Sequence, residues 1–317
     1  MSMVSDQVEA YIAYKQGLGV TMRSEASVMR QLGRFAASVG HVGPIDVGLA
    51  VAWARSGGGH AEGYEIKRYE MARRIHDYSC ALAGIPASIP PGLLGKVSNR
   101  VTPYIFTDEE VALLMKGAAG LYSQRDRTRA PAYAALIGIL RATGMRPSEA
   151  MALEDADFDA DVGVITVRNG KNSRERMIPL DPSSVEAIGA YRERRDHLRT
   201  GRSCTRLLVT AGDQPVSISG FEGAFQEIRC VLLGRGEVWT RRPPRPYDLR
   251  HTFAVRTIIG WHEAGEDVNA LLPVLATYMG HVSVVETYWY LTGTPELVEV
   301  ASSAFGSFAG GGLPWRL

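Results

Sequence analysis

A segment rich in proline and glycine constrains the fold more than any other feature of this chain. Residues 85–101 contain three prolines and two glycines, at Pro86, Pro90, Pro91, Gly92 and Gly95. Proline lacks a backbone N–H and glycine is conformationally free, so neither helix nor strand is stable in such a segment. The chain of 317 residues is also longer than one hydrophobic core usually supports. We therefore predict two domains, 1–90 and 104–317, joined by a linker at 91–103.

The first domain shows the apolar spacing of short helices throughout. Helices are predicted at 6–16, 24–39, 46–53 and 61–82. The last of these helices carries four cations, Lys67, Arg68, Arg73 and Arg74. A run of this kind fits the phosphate backbone of a nucleic acid, and it fits equally well an ordinary helix face that is exposed to water.

The second domain begins with helices. Thr107 and the three acidic residues after it are typical of a helix N-terminus. A following apolar helix over 132–141 should stop near Gly144, and Pro147 suits the first turn of the next helix. Arg146 would then lie at a tight junction between two helices.

Strand spacing follows these helices. Val, Ile and Thr residues predict short strands at 162–168 and 176–180, joined by a polar turn with Lys171 near its tip. Helices are expected again from Pro182 and over 217–233. The predicted fold class is therefore mainly α, with a small antiparallel sheet in the second domain.

Composition excludes several classes of protein. Apolar residues make up 45% of the chain and charged residues 22%, as in globular proteins, and no run approaches the length of a membrane span. The N-terminus shows no secretory signal, which predicts a cytoplasmic protein. The three cysteines are widely separated, so neither a disulfide framework nor a zinc site is expected.

Charge is distributed unevenly near the C-terminus. Residues 201–260 contain nine arginines and five acidic residues, whereas 261–317 contain one arginine and six acidic residues. The basic block includes Arg241, Arg242, Arg245, Arg250 and Arg256. Such clustering indicates either a site for phosphates or a solvated face, and charge alone does not decide between them.

The motif search points to one kind of chemistry. The sequence has no phosphate-binding loop, dinucleotide fingerprint, His-Glu-x-x-His zinc pair or Gly-x-Ser-x-Gly elbow, so no metal and no nucleotide cofactor is predicted. What remains is a set of Arg, Lys, His and Tyr residues. Arginine can bind two phosphate oxygens at once, and a tyrosine hydroxyl near cations can act as a nucleophile. This set suits an attack on a phosphodiester.

Helical geometry narrows the roles. Tyr247 and Arg250 are three residues apart and share a face of a helix that starts near Pro246. His251 points about 100° away from Arg250, which favours a packing or hydrogen-bonding role over a catalytic one.

Two tyrosines compete for one position near the C-terminus. A capping box at 283–286 should begin a new helix after His281. Tyr288 and Tyr290 lie about 200° apart on that helix, so only one of them can face a site. Helical geometry leaves both tyrosines open.

Five motifs in a fixed order resemble the tyrosine recombinases, or phage integrase family. They are 143–149 (Thr-Gly-Met-Arg-Pro-Ser-Glu), the hairpin Lys171, 248–254 (Asp-Leu-Arg-His-Thr-Phe-Ala), 279–281 (Met-Gly-His) and a tyrosine nine residues beyond. The resemblance spans about residues 104–300 by motif. The segments 288–291 and 294–297 are similar to the transposon-encoded branch of the family.

The resemblance implies a role for each residue. Arg146 and Arg250 would clamp the scissile phosphate, and His281 would hydrogen-bond to it. Lys171 would protonate the departing 5′ oxygen, and Tyr290, preferred over Tyr288 by family spacing, would form a 3′-phosphotyrosyl link. Neither metal nor nucleotide would be needed.

One position departs from the family pattern. The family usually has His where this chain has Tyr247. Tyrosine can donate a hydrogen bond to a phosphate oxygen, but it does not readily accept a proton near neutral pH. Tyr247 is therefore expected to support the site, with cleavage that is reduced or differently tuned.

The resemblance also implies partners and an overall arrangement. A helical core-binding domain and the catalytic domain would close around double-stranded DNA as a C-shaped clamp, and a homotetramer would assemble on two DNA sites. An accessory DNA-bending factor could take part, and a terminal helix at 295–308 could pack onto a neighbouring protomer. The expected function is site-specific DNA recombination. The alternatives are DNA relaxation of the type IB topoisomerase kind and a DNA-binding accessory protein that does not cleave.

Overall fold

The computed structural model describes residues 2–57, 63–96, 102–121, 123–168, 175–234 and 243–293. The chain divides into two units, Met1–Val101 and Thr102–Leu317, and each has a hydrophobic core of its own. Within the described ranges, no helix is both long enough and apolar enough to cross a membrane.

Four helices lie in the described part of the first unit: α1 (Met3–Gly17), α2 (Arg23–Ser38), α3 (Val47–Arg55) and α4 (Tyr64–Ala83). Their apolar faces meet around Trp53 and Tyr69, both of which are fully buried. Asp46 caps α3, since its side chain accepts a hydrogen bond from the backbone N–H of Leu49 at 2.7 Å. The four predicted helices are confirmed, with ends that differ by a few residues.

The cations of α4 do not form one exposed row. Arg68 is buried, lies 4.3 Å from the centre of the Trp53 ring and donates a hydrogen bond to Ser56. Arg73 forms ion pairs with two carboxylates on its own helix, Glu70 and Asp77. Lys67 and Arg74 are exposed. The expectation of four cations facing solvent is therefore wrong for Arg68, because stacking on Trp53 holds its side chain inside the unit.

Eight helices lie in the described part of the second unit: α5 (Asp108–Ala119), α6 (Arg129–Thr143), α7 (Pro147–Ala152), α8 (Pro182–Leu198), α9 (Ile218–Gly234), α10 (Asp248–Glu263), α11 (Val268–Met279) and α12 (Val285–Gly293). The predicted helix N-terminus at Thr107 is confirmed, and it has the form of a capping box, because Thr107 and Glu110 exchange side-chain to backbone hydrogen bonds. Gly144 ends α6 in the left-handed conformation, with φ of 60°.

The small sheet is antiparallel in the order β1 (Phe158–Asp159), β2 (Val164–Val167) and β3 (Arg176–Pro179). Ile165 and its β3 partner Ile178 are fully buried, which fixes the register. The two predicted strands are confirmed. Three strands have only two residues each: β1 and a further antiparallel pair, β4 (Val209–Thr210) and β5 (Gln214–Pro215). They were not predicted, because two residues are too few to show an alternation of apolar and polar positions. The predicted turn with Lys171 lies outside the described residues.

Helix α6 is central to the second unit, where it packs against α5, α8 and α10. Leu136, Ile137 and Leu140 on this helix are fully buried. A smaller cluster joins α10, α11 and α12 and includes Tyr290. This packing brings the end of α6, the start of α10 and the segment after α11 together.

Candidate active site

Arg146 is held at the junction of α6 and α7. Its Nη1 donates to Glu149 Oε1 at 2.8 Å, and its backbone N–H donates to Glu149 Oε2 at 3.0 Å. Its Nη2 donates to the carbonyl oxygen of Gly280 at 2.9 Å. The junction itself is tight, since a Cβ at Gly144 would lie 2.3 Å from the Phe253 ring. The guanidinium is therefore fixed from two sides.

Arg250 lies in the first turn of α10 and is fully buried. Its Nη1 donates to the carbonyl oxygen of Gly144 and its Nη2 to that of Met279, each at 2.8 Å. Its Nε has no hydrogen-bond partner among the described residues. Burial lowers the pKa of this guanidinium, but arginine remains charged at any physiological pH. The chain thus maintains a buried cation with unused donor capacity.

Two residues that were not selected from the sequence, Glu149 and Arg176, complete a cluster of charged side chains around Arg146. Glu149 is buried and receives hydrogen bonds from Arg176 Nη2 at 2.6 Å and Nη1 at 3.2 Å. Arg176 Nε donates to the carbonyl oxygen of Tyr278 at 2.9 Å. Burial raises the pKa of Glu149, but hydrogen bonds from Arg176 and Arg146 outweigh it and hold that pKa below its usual range. A charged residue in an otherwise apolar strand was the available signal for Arg176.

His281 follows the left-handed cap of α11 at Gly280 and is half-buried. Its Nδ1 lies 2.7 Å from the hydroxyl oxygen of Thr287, a fully buried residue of α12. Burial, with the positive charges of Arg250 and Arg146, lowers the pKa of His281 to about 3. The imidazole is therefore neutral at physiological pH and carries one N–H.

Tyr290 points into the protein from α12, whereas Tyr288 points out. Tyr290 is 3% exposed and Tyr288 is 44% exposed, as the predicted angle between them requires. The Tyr290 ring lies 6.3 Å from the His281 ring, measured between centroids. Burial raises the pKa of Tyr290 to about 12, despite the opposing effect of Arg250. Helix α12 begins at Val285, one residue later than the capping box predicts, because Val284 is still in a turn.

His251 is the residue whose place sequence reasoning described least well. Its Nδ1 lies 3.2 Å from the hydroxyl oxygen of Tyr290, and the two ring centroids are 5.5 Å apart. A hydrogen-bonding role was predicted, but its partner was not. Arg250 and His251 can both serve the site because α10 is covered on two sides, by the α6–α7 junction and by α12.

Tyr247 precedes α10, which begins at Asp248 rather than near Pro246 as predicted. Its ring is 40% exposed and lies 5.2 Å from the His251 ring, measured between centroids. Tyr247 also lines a crevice of about 430 Å³ together with Arg146 and Arg245. Tyr247 therefore lies outside the helix that carries Arg250, although the two side chains interact electrostatically.

The described members of the predicted basic block differ in exposure. Arg250 is buried and Arg256 is exposed, whereas Arg241 and Arg242 lie outside the described residues, as does Lys171. The described site therefore brings together Arg146, Arg250, His281, Tyr290 and His251.

The arrangement is suited to an anion. The guanidinium groups of Arg146 and Arg176 contact the carboxylate of Glu149, and the Arg250 guanidinium interacts with it electrostatically without contact. The excess positive charge is half-buried or buried, where electrostatic interactions are stronger than in water. A neutral imidazole and a tyrosine hydroxyl lie on the side of α12. Such a site can bind a phosphate group and present a nucleophile to it.

Comparisons with known proteins agree with this geometry. The model of the phage integrase family matches residues 105–296. The integrase/recombinase y4rB of Sinorhizobium fredii is 32% identical over 305 residues, which cover 95% of this chain and 96% of that protein. The tyrosine recombinase XerD of Mycobacterium tuberculosis is 28% identical over 220 residues, 69% of this chain and 66% of its own.

Solved structures show the same fold. The integrase of the Tn1549 transposon, in complex with transposon right end DNA, superimposes with a TM-score of 0.68 over 96% of this chain and 99% of that one, at 16% identity. The XerH site-specific recombinase bound to its difH substrate gives a TM-score of 0.56 over 82% of this chain and 71% of that one, at 19% identity.

Proposed function

Because this chain belongs to the phage integrase family, we propose that it is a tyrosine recombinase that cuts and rejoins DNA at specific sites. The reaction would proceed through a 3′-phosphotyrosyl intermediate. The phosphodiester bond energy is kept in that link, so rejoining needs neither a nucleotide nor a metal ion. The observation that carries the proposal is a buried Tyr290 hydroxyl that interacts electrostatically with two fixed guanidinium groups, those of Arg250 and Arg146.

Arg146 and Arg250 are proposed to bind the scissile phosphate. Both are held rigidly by backbone carbonyls, of Gly280 and of Gly144 and Met279, so their charges need no reorganisation during the reaction. Charge on the phosphate oxygens increases as the nucleophile approaches, and fixed cations stabilise that increase. Arg176 would act through Glu149, which orients Arg146.

His281 is proposed to donate a hydrogen bond to the phosphate. Its pKa of about 3 keeps the ring neutral, and the Thr287 hydroxyl at Nδ1 can supply the hydrogen of that contact. Nε2 then carries the N–H and is free to donate. Lys171, outside the described residues, is proposed as the acid that protonates the leaving 5′ oxygen, and Tyr247 as a supporting hydrogen-bond donor.

The partners are proposed from the family and from the DNA-bound structural neighbours. The unit Met1–Val101 would act as the core-binding domain on double-stranded DNA, and four protomers would assemble on two sites. The place of action would be the cytoplasm, with an accessory DNA-bending factor if the sites require bending.

A nicked duplex that traps the covalent intermediate tests the proposal. Fragments that tile the DNA flanking the gene are first screened for those that the protein retards in a gel. Retarded fragments are then nicked close to each candidate cleavage position, so that the released short strand diffuses away. The parent and Tyr288→Phe proteins should both form a protein–DNA adduct that survives denaturation, and Tyr290→Phe should form none. Retardation without any adduct in the parent protein would reject cleavage and favour an accessory DNA-binding role.

A further inference from the structure

We propose that His251 is the catalytic residue that accepts the proton of Tyr290 during strand cleavage. The inference rests on the proposed function and deepens it, because it names the base of the same site. It follows from one contact, His251 Nδ1 to the Tyr290 hydroxyl oxygen at 3.2 Å, and from the positions of the other candidate bases.

The contact has the geometry that a proton transfer requires. A distance of 3.2 Å between heavy atoms is at the upper end of the hydrogen-bonding range, where catalytic contacts often lie before substrate binds. The two ring planes are tilted by 63° to each other, in an edge-to-face arrangement. With the hydrogen on Nε2, Nδ1 accepts from the hydroxyl.

Tyr290 needs such an acceptor. Burial raises its pKa to about 12, so the hydroxyl keeps its proton at physiological pH. A phenol is a weak nucleophile until that proton is removed or shared. The positive charge of Arg250 favours the phenolate but does not remove the proton.

The other nearby groups are less suitable as bases. Tyr247, in the position where the family usually has His, is a phenol and accepts a proton poorly near neutral pH. His281 already uses Nδ1 with Thr287, and its pKa of about 3 makes it a very weak base. Glu149 is engaged by Arg146 and Arg176. Among the described residues, His251 therefore combines contact with Tyr290 and the chemistry of a base.

The step balances in protons and bonds. Neutral His251 takes the proton from Tyr290 as the phenolic oxygen bonds to phosphorus, and the bond from phosphorus to the 5′ oxygen breaks. The leaving 5′ oxygen takes a separate proton from the general acid, proposed as Lys171. Rejoining reverses both transfers, and imidazolium at His251 returns the proton to Tyr290.

The test separates base from acid with two leaving groups. Single-turnover cleavage is measured at saturating protein on the trapping duplex and on the same duplex with sulfur in place of the bridging 5′ oxygen. Sulfur leaves without protonation, so Lys171→Ala should be slow on the oxygen substrate and close to parent on the sulfur substrate. His251→Asn should be slower than parent by about 10²–10⁴-fold on both substrates, the usual range for a lost general base.

Controls distinguish this role from folding and from the proposed function. His262→Asn alters an exposed histidine of the same helix and should cleave within about twofold of parent. His251→Ala should regain part of its rate when imidazole is added, which a purely structural defect would not do. A parent protein that forms no adduct rejects the proposed function. If the parent cleaves, two results would reject the role of His251. One is a cleavage rate of His251→Asn within about threefold of the parent rate, and the other is a rate of His251→Asn that the sulfur substrate restores to that of the parent.

Discussion

The Glu149→Gln substitution tests how the arginine cluster is held. In the parent, one buried carboxylate receives the Arg146 side chain and backbone N–H and two nitrogens of Arg176. Glutamine keeps one acceptor oxygen but removes the negative charge and turns an NH₂ group towards the arginines. Two largely buried guanidinium groups would then lie together without a counter-ion.

The expected cost follows from that burial. Removing one partner of a buried ion pair typically costs about 3–5 kcal/mol. The side chains of Arg146 and Arg176 are 14% and 12% exposed, which allows little screening by water, and the retained oxygen offsets part of the loss. We expect the free energy of unfolding of this unit to fall by about 3 kcal/mol. The matched control, Glu227→Gln, removes a more exposed pair with Arg129 and should cost under about 1 kcal/mol.

The effect should depend on pH in a defined direction. The pKa of Glu149 is lowered in the folded protein, so its stabilisation is complete above its unfolded value, about 4.3, and is lost as pH falls through the lower folded value. Urea unfolding is monitored by hydrogen exchange in peptides of α6. The difference in the free energy of unfolding between parent and variant should be largest near pH 7. A difference under about 1 kcal/mol at pH 7, or one that is unchanged at pH 3, would refute this account of the cluster.

Two further predictions concern cleavage and assembly. Tyr247→His should raise the single-turnover cleavage rate by less than about 10²-fold, since it restores a group that can accept a proton beside His251; a rate no faster than that of the parent would contradict the interpretation of this position. On a duplex pair carrying two sites, sedimentation should show four protomers per complex, and a complex that never exceeds one protomer per site-bearing duplex would exclude the proposed assembly.

The sequence predicted the helices of the second unit well because capping signals are local. Thr107, Gly144 and Pro147 each act on the backbone within one turn, and each is found where it was expected. The strands of two residues were not predicted, since a segment of two residues is too short to show the alternation of apolar and polar positions that identifies a strand. The start of α10 was placed too early because the turn at 246–247 has helix-like spacing without belonging to the helix.

The site was predictable where a motif contains the residue and unpredictable where the fold supplies the partner. Arg146 and Arg250 stand in recognisable motifs. However, Arg146 donates to the carbonyl oxygen of Gly280 and Arg250 to that of Gly144, and each acceptor is more than a hundred residues away in the sequence. The link from His251 to Tyr290 crosses 39 positions of sequence, and a single helical wheel cannot show it. Arg176 was missed for the same reason, since its partner Glu149 lies on another element.

The most direct test of the central claim is to identify the residue that becomes linked to DNA. The adduct formed by the parent protein on the nicked duplex is digested with a protease and a nuclease, and the modified peptide is sequenced by mass spectrometry. The account predicts a nucleotide attached through its 3′ phosphate to the oxygen of Tyr290. Attachment at Tyr288, at a serine or at any other residue would contradict it.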